Sequence, residues 1–117
     1  MSYIKDLELS IETELENFIY DVIENRRQYR MGEFFAKAAE IIEDVVKRKL
    51  GKDLRCDKKY LDIRGDEWAR LFVECAITGK PWKLIIRTPW RVSFKLPEGT
   101  IADYTDIHVD EVVVFER

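Results

Sequence analysis

The chain has 117 residues, 46% apolar and 37% charged, a composition that suits one globular domain over 1–117 with a solvated surface. No apolar run approaches the roughly 18 residues of a membrane-spanning helix. The opening Met1-Ser2-Tyr3-Ile4-Lys5-Asp6 has no apolar signal region, so the expectation is a cytoplasmic protein without a membrane partner.

In residues 4–23, Ile4, Leu7, Ile11, Leu15, Phe18, Ile19, Val22 and Ile23 recur at three- and four-residue steps. That spacing predicts an amphipathic helix, with Glu12, Glu14, Glu16, Asp21 and Glu24 on or near its wet side. The basic run Arg26-Arg27-Gln28-Tyr29-Arg30 suits its C-terminus, and Gly32 offers the break. A second helix is expected over 33–50, its apolar face made by Phe34, Phe35, Ala38, Ile41, Ile42, Val45, Val46 and Leu50. Lys47-Arg48-Lys49 before Gly51 reads as its stop.

Past Gly51 the period changes from about 3.6 to two. Strands are expected at Lys59–Arg64, Trp68–Ile77, Trp82–Thr88, Trp90–Leu96 and His108–Phe115, with turns at Gly65-Asp66-Glu67, Thr78-Gly79-Lys80-Pro81 and Pro97-Glu98-Gly99. Pro89 is read as an interruption between the third and fourth strands. The expected fold is therefore α+β, with a helical half at 4–50 and a β-rich half at 58–116. Two N-terminal helices pack on a mostly antiparallel sheet of about five strands.

Charge is unevenly distributed along the chain. Residues 51–97 hold 11 basic and 6 acidic groups together with Trp68, Trp82 and Trp90, all three tryptophans of the chain. Basic residues interleaved with aromatics fit a surface for DNA or RNA, with Lys80, Lys83, Arg87 and Arg91 gripping phosphates and Trp90 stacking a base. The competing reading puts the aromatics in the core, Trp90 against a helix, and the cations on the outer sheet face. Many charges with few amides (Asn17, Asn25 and Gln28) point to a thermophile. Cys56 and Cys75, with the lone His108, do not make a Cys/His zinc site and are expected to pack as small hydrophobes.

Alternation puts Asp62 and Glu74 on the non-core face of one hairpin. A loop centred near residue 67 or 68 would set them opposite each other, within reach of a shared Mg²⁺ or Mn²⁺. The run Tyr60-Leu61-Asp62-Ile63-Arg64-Gly65, followed by Leu71-Phe72-Val73-Glu74-Cys75-Ala76, resembles the core of the PD-(D/E)XK nuclease superfamily. Archaeal Holliday-junction resolvases and restriction-enzyme-like nucleases belong to that superfamily. The resemblance covers about 32–88, roughly half the chain. It implies metal-dependent phosphodiester cleavage, with Asp62 and Glu74 as metal ligands. Where the family has its lysine, two places after Glu74, this chain has Ala76; Lys83 or Lys58 would have to substitute from a neighbouring strand. Glu33 or Glu40 would be the helix carboxylate of some members. The ordinary reading of Asp62 and Glu74 is surface carboxylates paired with Arg64 and Arg70.

Asp103, Asp106, His108, Asp110 and Glu111 form an acidic patch that fits either a metal or a solvated edge. Two functional readings follow. One is a nuclease-like nucleic-acid-binding domain, active or decayed. The other is a small non-enzymatic homo-oligomer, a dimer through its apolar helices.

Overall fold

The computed structural model describes residues 3–25, 29–51, 54–64, 68–77, 85–93, 100–101 and 108–116. Helix α1 runs Tyr3–Glu24 and buries the stripe Leu7, Ile11, Leu15, Ile19 and Val22. Asn25 closes it: its backbone N–H and its side-chain Nδ2 both donate to the Asp21 carbonyl at 3.0 Å. The chain then leaves the helix, and Tyr29–Arg30 forms the short strand β1.

Helix α2, Met31–Leu50, starts before Gly32, so the break expected at that glycine comes earlier. The physical reason is tertiary. The Tyr29 ring is drawn between the helices, 6.2 Å from the Phe18 centroid and 6.5 Å from that of Phe34. Helix α2 stops where expected. Lys47, Arg48 and Lys49 face the negative end of its dipole, and Gly51 adopts φ 113°, donating to the Lys47 carbonyl at 2.9 Å.

The remaining strands are β2 (Leu54–Arg64), β3 (Trp68–Ile77), β4 (Ile85–Ser93), β5 (Thr100–Ile101), β6 (His108–Val112) and β7 (Phe115–Glu116). The main sheet has the order β2-β3-β4-β6, with β7 also pairing to β4; β1 pairs separately with β5. Every pairing is antiparallel. This is the expected α+β architecture.

Two local features depart from the expectation. Strand β4 runs straight through Pro89, which stands opposite Phe72. On its other side, β4 pairs β7 at Ile86 and Arg87 and β6 from Trp90 onward, so that ladder is interrupted at Thr88 and Pro89. A residue with no N–H fits a strand at such a gap. Strand β2 starts at Leu54, earlier than expected, because it holds a bulge: Arg55 faces Ala76 and Lys58 faces Glu74, so Cys56 and Asp57 together oppose Cys75.

The core lies between the helices and one sheet face. Phe34, Phe35 and Trp90 form its aromatic centre, with ring centroids 6.4 Å (Phe34–Trp90) and 6.1 Å (Phe35–Trp90) apart. Leu54, Ala69, Leu71, Val73 and Val114 complete it from the sheet. The Val114 N–H, in the break between β6 and β7, donates to Glu8 Oε1 of α1 at 3.1 Å and ties that edge to the helix. Cys56 and Cys75 are not separate buried thiols as expected. They form a disulfide across the bulge, with a Cα–Cα distance of 4.0 Å.

Candidate nucleic-acid interface

The bulge decides which β2 side chains face outward. Before it, Leu54 and Cys56 point into the core; after it, Leu61 packs against the core and Ile63 shares its side of the strand but is 47% exposed, and Lys58, Tyr60, Asp62 and Arg64 take the other side. In β3 the outer face carries Trp68, Arg70, Phe72 and Glu74, and in β4 it carries Arg87, Pro89 and Arg91. With Arg55, which lies between Leu54 and Cys56 and faces outward opposite Ala76, three adjacent strands thus gather six cations, two carboxylates and three aromatic rings of the described residues on one face.

These side chains are ordered by one another. Tyr60 and Phe72, directly opposite across the strands, stack with centroids 4.7 Å apart and 13° between ring planes. The Arg70 guanidinium lies 5.6 Å from the Trp68 ring centre and 6.0 Å from that of Phe72, and Arg91 lies 5.1 Å from Trp68. Glu74 is half-buried and accepts from Arg87 Nε at 3.1 Å and Nη2 at 3.0 Å, with Lys58 Nζ 3.9 Å from its other oxygen. Asp62 accepts from Arg64 Nε at 3.2 Å.

The two carboxylates proposed to share a metal are held apart. The register closes β2 on β3 about residue 66, not 67 or 68, so Asp62 faces Arg70 and Glu74 faces Lys58. Four residues along a strand separate the two positions by about 13 Å. Each carboxylate already has a basic partner: Asp62 has Arg64 as expected, but Glu74 has Arg87 rather than Arg70. Among the described residues no group of three or more His, Cys, Asp or Glu could hold a metal ion. Glu33 and Glu40 are exposed on α2, and Glu40 pairs with Lys37 at 3.4 Å. Lys58 reaches Glu74 only as an ion-pair partner.

Of the residues expected to grip nucleic acid, Arg87 and Arg91 do lie on the outer face. Trp90 does not. As an even-numbered β4 residue it points to the helices and is fully buried, so it packs the core instead of stacking a base. Lys80 and Lys83 lie outside the described residues, as do Asp103 and Asp106 of the acidic patch; His108, Asp110 and Glu111 fall in β6. The members sequence reasoning missed as a group are Lys58, Tyr60, Arg64, Trp68, Arg70 and Phe72. Tyr60, Arg64, Trp68, Arg70 and Phe72 share the parity of Asp62 and Glu74, whereas Lys58 lies just before the strand expected at Lys59–Arg64. The missing step was to count cations and rings over three strands together.

The helices serve the site by closing the opposite sheet face. Lys59, on the core side of β2, reaches Glu43 of α2, and Lys47 approaches the same carboxylate at 2.9 Å. Burial by itself would raise the Glu43 pKa, but hydrogen bonds from Lys59 and Lys47 and their charges hold it below the usual value. No helix among the described residues is long and apolar enough to cross a membrane. Comparisons with protein-family models, curated proteins and solved structures each returned no match.

Proposed function

We propose that the chain binds nucleic acid, DNA or RNA, through the outer face of its sheet. The observation that carries this reading is the alignment of Lys58, Arg64, Arg70, Arg87 and Arg91 with Tyr60, Trp68 and Phe72 on the face turned away from the helices. Cations contribute affinity by releasing counterions from phosphates, and rings contribute sequence-tolerant stacking. Both carboxylates of the face are paired internally, which leaves its outward charge positive.

The reading is binding rather than cleavage. A nuclease of the kind the sequence resembles needs convergent carboxylates and a lysine, and here Asp62 and Glu74 stand apart with Ala76 in the lysine's place. The rival reading, a dimer through the helices, loses its motive, because the apolar stripes of α1 and α2 are buried in the chain's own core.

Fluorescence anisotropy with a labelled oligonucleotide at a series of salt concentrations tests the proposal. Affinity should fall steeply with salt, and Lys58→Gln, Arg64→Gln and Arg70→Gln together should flatten the log–log slope by about 2 or more. Absence of binding by the wild type at low salt refutes the reading, as does a slope the triple variant leaves unchanged.

A further inference from the structure

Strand β2 is an edge of the main sheet, and Tyr60 stands at the end of a ring column that begins with Phe72 on β3. The two rings are nearly parallel, so one face of Tyr60 is covered by Phe72. The other face points off the sheet edge, and the residue is 49% exposed despite its stacking partner. No other described ring stands against it. Stacked cross-strand rings rise on edge from the sheet, which turns the free face of the column sideways. It is not buried beneath neighbours.

Resting on the nucleic-acid reading above, we infer that the face takes single-stranded nucleic acid, with one unpaired base extending the Phe72–Tyr60 column at the sheet edge. A duplex keeps its base faces covered by neighbouring pairs and presents only its phosphates, so it cannot use this column along its length. A single strand can splay a base onto it. The charges next to the column suit such a strand. Lys58 lies two residues from Tyr60 on the same strand face, about 7 Å along the edge. Arg70 covers the inner side of the column, over Phe72. The backbone of the bound strand would run along β2, passing Lys58, Tyr60 and the Asp62–Arg64 pair.

The group of Trp68 with its two arginines has a different part. The Trp68 ring is approached by both Arg70 and Arg91, so its π-face is already engaged by guanidinium groups. Trp68 therefore orients the two arginines, and Tyr60 takes the base. This division gives a test that charge alone would not pass.

The probes are a fluorescein-labelled 12-nucleotide strand and the same strand annealed to its complement. Tyr60→Thr keeps a strand-forming residue and removes the ring; circular dichroism confirms that it folds. It should weaken single-strand binding by about tenfold, leave duplex binding unchanged, and leave the salt slope of both unchanged, since no phosphate contact is lost. Tyr60→Phe should retain wild-type affinity. Equal loss on single strand and duplex, or no loss on either, overturns the inference while salt-dependent binding by the wild type upholds the proposed function. No binding of either probe at low salt overturns both. Displacement of the single strand by polyglutamate as effectively as by unlabelled oligonucleotide overturns the inference in favour of an acidic polypeptide partner.

Discussion

Opening the Cys56–Cys75 disulfide should destabilise the protein by about 3 kcal/mol. The two cysteines are separated by 19 residues of sequence, and closing a loop of that length in the unfolded chain removes roughly 11 cal/mol/K of entropy, or about 3 kcal/mol at 25 °C. Both residues are buried, so the Cys56→Ala, Cys75→Ala pair loses packed sulfur as well and should fall about 1–2 kcal/mol further. Urea unfolding with and without reductant, followed by tryptophan fluorescence, reads the difference. With a slope of about 1.5 kcal/mol/M the midpoint should drop by about 2 M on reduction. Identical midpoints for oxidised and reduced protein would refute the stabilising role. Two reactive thiols per chain in denatured, unreduced protein would refute the cross-link itself.

The two described glycines of the helical half should respond with opposite signs. A Cβ at Gly32 meets open space, so Gly32→Ala should gain about 0.5 kcal/mol; Gly51 sits at φ 113°, so Gly51→Ala should lose about 1–2 kcal/mol, both measured by chemical denaturation. Glu43→Gln should cost a few tenths to about 1 kcal/mol at pH 7. The carboxyl is held below its ordinary value of 4.5, so its contribution is complete above that pH and disappears as pH falls through the lowered value. Stability curves of variant and wild type should therefore converge in acid, and a gap that widens there contradicts the assignment. Millimolar Mn²⁺ should leave the wild-type Tm unchanged, because Asp62 and Glu74 are apart and each is paired with an arginine; a rise lost in Glu74→Ala would restore the metal site.

Helix α1, helix α2 and strand β3 were legible because their apolar periods are long and uninterrupted. The stop at Gly51 was legible for the same kind of reason: a backbone position with positive φ and three preceding cations leave a local mark. What could not be read depended on partners distant in sequence. Gly32 looked like a hinge, but the hinge is set by Tyr29 entering an aromatic cluster with Phe18 and Phe34. Pro89 looked like a strand end, yet the neighbouring ladder is what yields there, between β6 and β7. The pairing of Cys56 with Cys75 requires the register, and the register contains a bulge that no composition announces. Trp90 was assigned to nucleic acid from its basic neighbours, although alternation from Arg91 and Arg87 already put it on the other side.

The bulge links the fold to the site. Side chains alternate with a period of two, so one extra residue in β2 reverses the facing of everything beyond it. Without Cys56 and Asp57 opposing a single residue, Lys58, Tyr60, Asp62 and Arg64 would continue the parity of Leu54 and Cys56 and turn toward the helices. Leu61 would then leave its place against the core. Turning Asp62 toward the place that Leu61 fills against the core would strip the carboxylate of water, a penalty of several kcal/mol. The bulged register is thus favoured by what it keeps out of the core as much as by what it puts in. The disulfide sits at that one point, joining the last residue before the parity change to its partner on β3. The core packing on one side of the sheet and the cation–aromatic face on the other are therefore set by the same few residues, 55–58 against 74–76.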